Sequence, residues 1–225
     1  MTLVRRTIDE LGNEFPRVST EYVGALFTLA ENVYAAYASM FVSSGFINSL
    51  VQILQIKHAS QHRFVSRVMN YLDSQIDTSE SSSMLFNIFV QDNGLTLIVD
   101  RIKEEVDYLL SIPDDKLTIS EPENYGSKYP FDSIYLIRSF FKAIYHMLKN
   151  NALTEGTRNL IESCLPKVFV TIFEKSEIFG SGVYSLSVNI SAVFIHNEPT
   201  SLTILQEANL PKTLLDSVNR NIPIS

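Results

Sequence analysis

The fold of this chain is decided by residues 205–218, which read LQEANLPKTLLDSV. The same Leu-Pro-Lys triplet opens residues 165–173, LPKVFVTIF, 45 residues earlier. Each triplet predicts the start of a helix, because proline is favoured in the first turn, where its missing N–H is not needed. Apolar residues then recur at matching places, pairing Phe169 with Leu214, Val170 with Leu215 and Phe173 with Val218.

A period of about 45 residues is the length of an armadillo or HEAT repeat, a helical module that buries its apolar face only against neighbouring modules. Leu50-Val51 and Ile98-Val99 give a looser counterpart, 48 residues apart. Residues 168–173 and 186–191 also have strand-like composition or alternation. The repeat nevertheless places each of them where another unit has a helix. We therefore predict an all-α fold of the armadillo/HEAT-like α-solenoid type.

Three parts follow from the distribution of helical periodicity along the chain. Residues 1–112 are predicted to form N-terminal armadillo-like helical units, and residues 131–225 C-terminal ones. Residues 113–130 have no sustained apolar period and are rich in acidic residues, which predicts a mobile acidic loop. The two helical parts are expected to form one continuous solenoid.

Composition restricts the classes of partner. The net charge is −7, and no run of Lys or Arg is longer than Arg5-Arg6, so binding to nucleic acid phosphates is not expected. An acidic surface favours basic protein partners instead. The single cysteine rules out an intrachain disulfide and fits a reducing compartment. The most apolar segment, residues 183–195, is predicted to be too short to cross a bilayer. We expect a soluble cytoplasmic or nuclear protein without a membrane segment.

The search for catalytic, cofactor and metal sites finds none. His58 and His62 have the spacing of a helical zinc site, but the glutamate that such a site needs as base is missing. An exposed or helix-capping position is predicted for both. Cys164 has apolar neighbours on its predicted helix, which indicates a packed thiol rather than a nucleophile.

One surface is a candidate for binding partners, on charge alone. The helix over residues 95–110 has a polar side that is predicted to face solvent, with Arg101 and Glu105 placed to pair four residues apart. This side holds Asp100, Arg101, Lys103, Glu104, Glu105 and Asp107. Together with the acidic loop, it gives the candidate partner-binding residues Asp100, Glu104, Asp114, Asp115, Glu121 and Glu123.

Two blocks of sequence go beyond a general helical repeat. Residues 91–106, QDNGLTLIVDRIKEEV, resemble a block in the N-terminal armadillo-like region of giant HECT-type E3 ubiquitin ligases. Residues 195–200, IHNEPT, and 205–211, LQEANLP, are similar to a second block of that region. The order of the blocks and the acidic segment between them also agree. The resemblance extends over roughly residues 20–220.

The resemblance implies a ring-forming scaffold that presents protein clients to a C-terminal HECT domain, whose cysteine accepts ubiquitin. No catalytic residue of that domain carries over to this chain, and no cofactor is implied. The expected partners are protein clients and other segments of the same ligase. Two alternatives remain open: a free-standing armadillo-type adaptor unrelated to ubiquitin, and a small helical hydrolase that uses Cys164.

Overall fold

The structure is a computed structural model that describes residues 46–57, 59–78, 93–113, 129–150 and 154–220, with single positions between 6 and 32 and between 87 and 90. Over these ranges the chain forms helices and the turns that join them, without a strand. The all-α prediction is therefore confirmed. The chain divides into two compact units, residues 1–97 and 98–225.

The first unit contains a short helix and a long one. Helix α1 spans Phe46–Ile53, a 3-10 turn spans Ala59–Gln61, and helix α2 spans His62–Thr78. The two helices pack together through apolar side chains at helical spacing. The buried members are Leu50, Val51, Ile53, Phe64, Val65, Val68, Met69 and Leu72.

The second unit holds most of the described helices, and helix α3, Gly94–Ser111, crosses the division between the units. After it come α4 (Phe131–Asn150), α5 (Thr154–Glu162), α6 (Leu165–Glu174) and α7 (Ser176–Asn197). A 3-10 turn, Pro199–Ser201, leads to α8 (Leu202–Glu207) and α9 (Leu210–Asn219). Residues 168–173 and 186–191 are both helical, so the choice of helix over strand is confirmed.

The core of the second unit is built around α6 and α7. Helix α7 packs against α4 and α6. The Phe169 ring lies edge-on to Phe141 of α4, with ring centroids 5.3 Å apart, and 6.3 Å from Phe194 of α7. Phe173 makes a second edge-on contact, 5.3 Å from Tyr184 of α7. Edge-to-face aromatic pairs each contribute about 0.5–1.5 kcal/mol beyond their buried area.

Helix α7 contains a break at Gly180, whose φ of 74° and ψ of 170° are open to glycine but costly for other residues. This break lies inside what is otherwise one long helical segment. With 22 residues and a mean hydropathy of 1.6, α7 is long and apolar enough to cross a membrane by those measures alone. The sequence prediction concerned the shorter segment 183–195, which lies within this helix. Its side chains Val183, Ile190 and Phe194 are buried among the helices of this unit.

The two Leu-Pro helices, α6 and α9, lie in direct contact. Both are ten residues long, and Leu165 and Leu210, which open them, are equally buried. After α9, the Arg220 Nη1 donates to the carbonyl oxygen of Glu174, the last residue of α6, at 3.1 Å. The C-terminal ends of the two helices are therefore neighbours.

Candidate protein-interaction surface

The exposed side of α3 carries the acidic residues that the sequence singled out. Asp100, Glu104 and Asp107 are all exposed. They share one side because residues four and three positions apart fall on the same side of a helix. Lys103 lies among them, and its Nζ donates to Asp107 Oδ2 at 2.7 Å. The side is thus acidic at Asp100 and Glu104, with an ion pair beside them.

The neighbouring carboxylates stabilise the positive charge of Lys103. Its pKa is raised above the ordinary value of 10.5, first because its ammonium donates to Asp107 and then because of that carboxylate's charge. It therefore stays protonated at neutral pH. Three carboxylates and one ammonium therefore give this side of α3 a net negative charge.

The prediction that Arg101 and Glu105 also face solvent was wrong. Arg101 is 3% exposed and Glu105 is 6% exposed, and Arg101 Nη2 lies 2.9 Å from Glu105 Oε1. The helical period explains the error, because Glu105 falls between Ile102 and Leu109 on the face that packs inward. A buried pair of this kind is costly to break, about 3–5 kcal/mol when one partner is removed. Both residues belong to the core and not to a binding surface.

The other predicted acidic residues lie outside the described ranges. Asp114, Asp115, Glu121 and Glu123 fall within residues 114–128, which make up most of the predicted acidic loop. The structure thus brings Asp100 and Glu104 together on one exposed side. The contribution of the loop to that surface stays a prediction, as do the predicted domain boundaries.

Cys164 precedes α6 and is partly exposed. Partial burial raises the pKa of its thiol above 9.0, and the negative charge of Asp100 raises it further. Reactive cysteines need the opposite shift, because the thiolate is the nucleophile. The raised pKa agrees with the predicted packed thiol, although the charge of Lys103 acts in the opposite direction.

Of the two histidines with zinc-site spacing, the structure describes His62, while His58 lies outside the described residues. His62 is the first residue of α2 and is buried, so it is not exposed, and the alternative of a helix-capping role stays a prediction. In the parts of the chain that the structure covers, no three His, Cys, Asp or Glu side chains are grouped so as to hold a metal ion.

The two sequence blocks of the resemblance build sharp helix-to-helix corners. Asn93 and Asn209 have φ values of 57° and 59°, in the left-handed region that asparagine tolerates better than most residues. Asn93 donates its N–H to Val90 O at 3.1 Å and accepts from Leu97 N–H at 3.0 Å. Asn209 does the same with Gln206 O at 2.9 Å and Thr213 N–H at 3.0 Å. Each asparagine therefore closes one turn and begins the next helix.

Gly94 and Asn197, one from each block, also fix the positions of helices. A Cβ added to Gly94 would lie 2.7 Å from both the Phe89 ring and the Phe89 carbonyl oxygen, so only glycine fits. Asn197 Nδ2 donates to Leu148 O at 3.2 Å and ties the end of α7 to α4. The sequence identified these blocks by resemblance, and the structure shows that they position helices.

A cleft that the sequence analysis missed lies between α5 and the segment that follows α7. Its volume is about 130 Å³, smaller than the roughly 300–1,000 Å³ of a typical small-molecule site. Two lining residues, Glu198 and Thr200, belong to the second block, and that block was the only sequence feature described above that pointed to the region of the cleft. The lining residues are Arg158, Ile161, Glu162, Glu198, Thr200, Ser201 and Ile204. Arg158 Nε is 3.4 Å from Glu162 Oε1, so the rim is already charge-paired.

Comparison with known proteins places these features in one family. Residues 66–224 match the model of a family described as a Domain of Unknown Function, DUF913. The E3 ubiquitin-protein ligase ptr1 of Schizosaccharomyces pombe is 30% identical over 99% of this chain and 7% of its own length. The E3 ubiquitin-protein ligase TOM1 of Saccharomyces cerevisiae is 26% identical over 95% of this chain and 6% of its own. The E3 ubiquitin-protein ligase HUWE1 of Mus musculus is 20% identical over 96% and 5%. The chain thus spans less than a tenth of the length of these relatives, and the predicted resemblance to large ubiquitin ligases is confirmed.

Proposed function

The chain belongs to the DUF913 family, and on this premise we propose that it is a scaffold and client-recruiting segment of a large HECT-type E3 ubiquitin ligase. The observation that carries the proposal is the coverage of the matches, nearly all of this chain but only 5–7% of each of the three ligases. A segment of that size is a small part of a long protein. Such a part can bind and position protein clients without catalysing a reaction itself.

The packing of α6 and α9 supports a repeat arrangement for the scaffold. Two helices of equal length, 45 positions apart, contact each other and have neighbouring C-terminal ends. Equivalent helices of an α-solenoid stack in this way, each repeat against the next. We therefore propose an armadillo/HEAT-like stack, which offers long surfaces for extended or multivalent contacts.

The chemistry of Cys164 supports transfer of ubiquitin elsewhere in the ligase. A cysteine that accepts ubiquitin must attack as thiolate, and the raised pKa of Cys164 opposes this at neutral pH. We propose that this segment has no transferase activity of its own and acts in the cytoplasm or nucleus through the catalytic domain of the parent protein.

For the client surface we propose the exposed acidic side of α3 with the loop residues Asp114, Asp115, Glu121 and Glu123. Asp100 and Glu104 lie four positions apart on the exposed side of a well-formed helix, which suits a basic segment of a client. Exposed charges act mainly on the rate at which two proteins meet. Salt screens their effect beyond a Debye length, which is about 8 Å at physiological salt.

The test is the double charge reversal Asp100→Lys with Glu104→Lys in the full-length ligase. The readout is the rate of ubiquitination of a Lys/Arg-rich protein substrate at low and high salt. We expect a loss of about tenfold at low salt that shrinks at high salt, because encounter is electrostatic. The matched control reverses two exposed carboxylates on other helices, Glu177→Lys with Glu207→Lys, and should leave the rate unchanged.

Equal rates for wild type and the α3 variant at low salt would remove this client surface. A gene that encodes no HECT domain with this segment would remove the ligase role and leave the adaptor alternative.

A further inference from the structure

The outer side of α9 is an apolar stripe without a cover among the described residues. Leu215 is 66% exposed and Val218 is 61% exposed, while Pro211 and Leu214 beside them are partly exposed. These four residues stand at positions i, i+3, i+4 and i+7 of the helix, which places them on one side. Spacing of this kind is typical of a helix face that packs against another helix.

The equivalent side of α6 shows what such a stripe packs against. Phe169 and Phe173 occupy the places of Leu214 and Val218, 45 positions earlier, and both are fully buried. The elements that cover them include α7, through Phe194 against Phe169 and Tyr184 against Phe173. Helix α7 begins at Ser176, directly after α6 and its cap residue Lys175.

From this correspondence we propose that the α9 stripe is the docking face for the polypeptide that directly follows Arg220, which covers α9 as α7 covers α6. The position equivalent to Ser176 is Asn221. A helix that begins there would have Pro223 in its first turn, where proline is tolerated. The occupant is thus a following helix of the same protein and not an external client.

The size of the relatives agrees with this occupant. The matched ligases are more than ten times longer than the part that corresponds to this chain, since it spans 5–7% of each. In the related long proteins, further polypeptide is available to cover an end helix of this segment. The inference rests on the repeat arrangement proposed above, but not on a role in ubiquitin transfer.

The experiment compares the 225-residue chain with a chain lengthened at its C-terminus by the residues that the gene encodes next, for at least the 22-residue length of α7. The readout is hydrogen exchange of the α9 amides. We expect exchange to slow at least about tenfold in the lengthened chain, because covering two aliphatic side chains makes opening of α9 less favourable.

Two double variants localise the effect. Leu215→Gln with Val218→Gln should abolish the slowing in the lengthened chain and leave the 225-residue chain folded, because both side chains are largely exposed there. The control, Lys212→Gln with Asp216→Asn, changes two exposed residues whose shared side is turned away from the stripe and should keep the slowing.

Three results would overturn the inference: equal α9 exchange in the two chains, a gene that encodes nothing after Ser225, or a 225-residue chain that dimerises through Leu215 and Val218. The last result would assign the stripe to a second copy. Hydrogen exchange involves neither ubiquitin nor a client, so the result separates this inference from the ligase role. Exchange of α9 can fail to slow while ubiquitination still depends on Asp100, and exchange can slow while ubiquitination does not depend on Asp100.

Discussion

Helices α6 and α9 begin with the same three residues, have the same length and lie side by side, yet their surroundings differ. The side chains of α6 that face α4 and α7 are aromatic and fully buried, led by Phe169 and Phe173. At the matching places α9 has Leu214 and Val218, which are partly or largely exposed. The same register therefore encodes the same helix, while the identity of the side chains follows the neighbours that each copy packs against.

The largest expected difference in stability between the two copies is at the matched pair Phe169 and Leu214. Phe169→Ala removes a fully buried ring that contacts two helices and should lower the free energy of unfolding by about 3–5 kcal/mol. Leu214→Ala changes a partly exposed side chain and should cost about 1 kcal/mol. Urea denaturation of both variants measures this difference. Equal losses would show that the two helices are equally embedded and would end the comparison.

At the first position the two copies should instead behave alike. Leu165 and Leu210 are both fully buried at the start of their helices. Leu165→Ala and Leu210→Ala should each cost about 2–4 kcal/mol, because each leaves a cavity at an equivalent contact. The measurement is the urea midpoint of each variant, compared where both variants have the same dependence of unfolding free energy on urea concentration. A Leu210 variant that loses less than a third of what the Leu165 variant loses would contradict the repeat.

The sequence predicted the parts of this fold that depend on period and turn chemistry. The start of α6 and α9 followed from Leu-Pro-Lys, and the 45-residue repeat correctly assigned residues 168–173 to a helix in spite of their strand-like composition. The inward turn of Glu105 was missed because residue type suggested solvent, whereas the helical period places that position among Ile102 and Leu109. Charge indicates a surface position only where the helical period agrees.

The cleft was harder to predict than the acidic side of α3, for a different physical reason. Asp100 and Glu104 could be placed on one side from their spacing alone. The cleft near Ser201 could not, because it forms between α5 and a segment some 40 residues later in the chain. Only tertiary packing brings Arg158 close to Glu198, and periodicity contains no information about that approach.

The residues that precede the two helices should respond differently to substitution. Asn209 is left-handed at φ 59°, whereas Cys164, its counterpart before α6, has the ordinary helical φ of −74°. Asn209→Ala should cost about 1–2 kcal/mol, since alanine disfavours that conformation, and Asn209→Gly should cost little. Thermal unfolding distinguishes them, with Cys164→Ala as the matched change at the other helix. An alanine variant at 209 as stable as the glycine variant would show that the backbone there is not strained.

The smallest expected effect concerns a hydrogen bond between α7 and α9. Ser217 Oγ lies 2.7 Å from Leu214 O and 2.7 Å from Tyr184 Oη, and both contacts are satisfied when the tyrosine O–H is the donor to Ser217. Tyr184→Phe keeps the ring against Phe173 and removes only that donor, which should cost about 0.5–1.5 kcal/mol. Ser217→Ala tests the same bond from α9, and the double variant should cost less than the sum of the two single variants because they share one interaction. Strictly additive losses would mean that Tyr184 and Ser217 act independently, and that contact between α7 and α9 is made by packing alone.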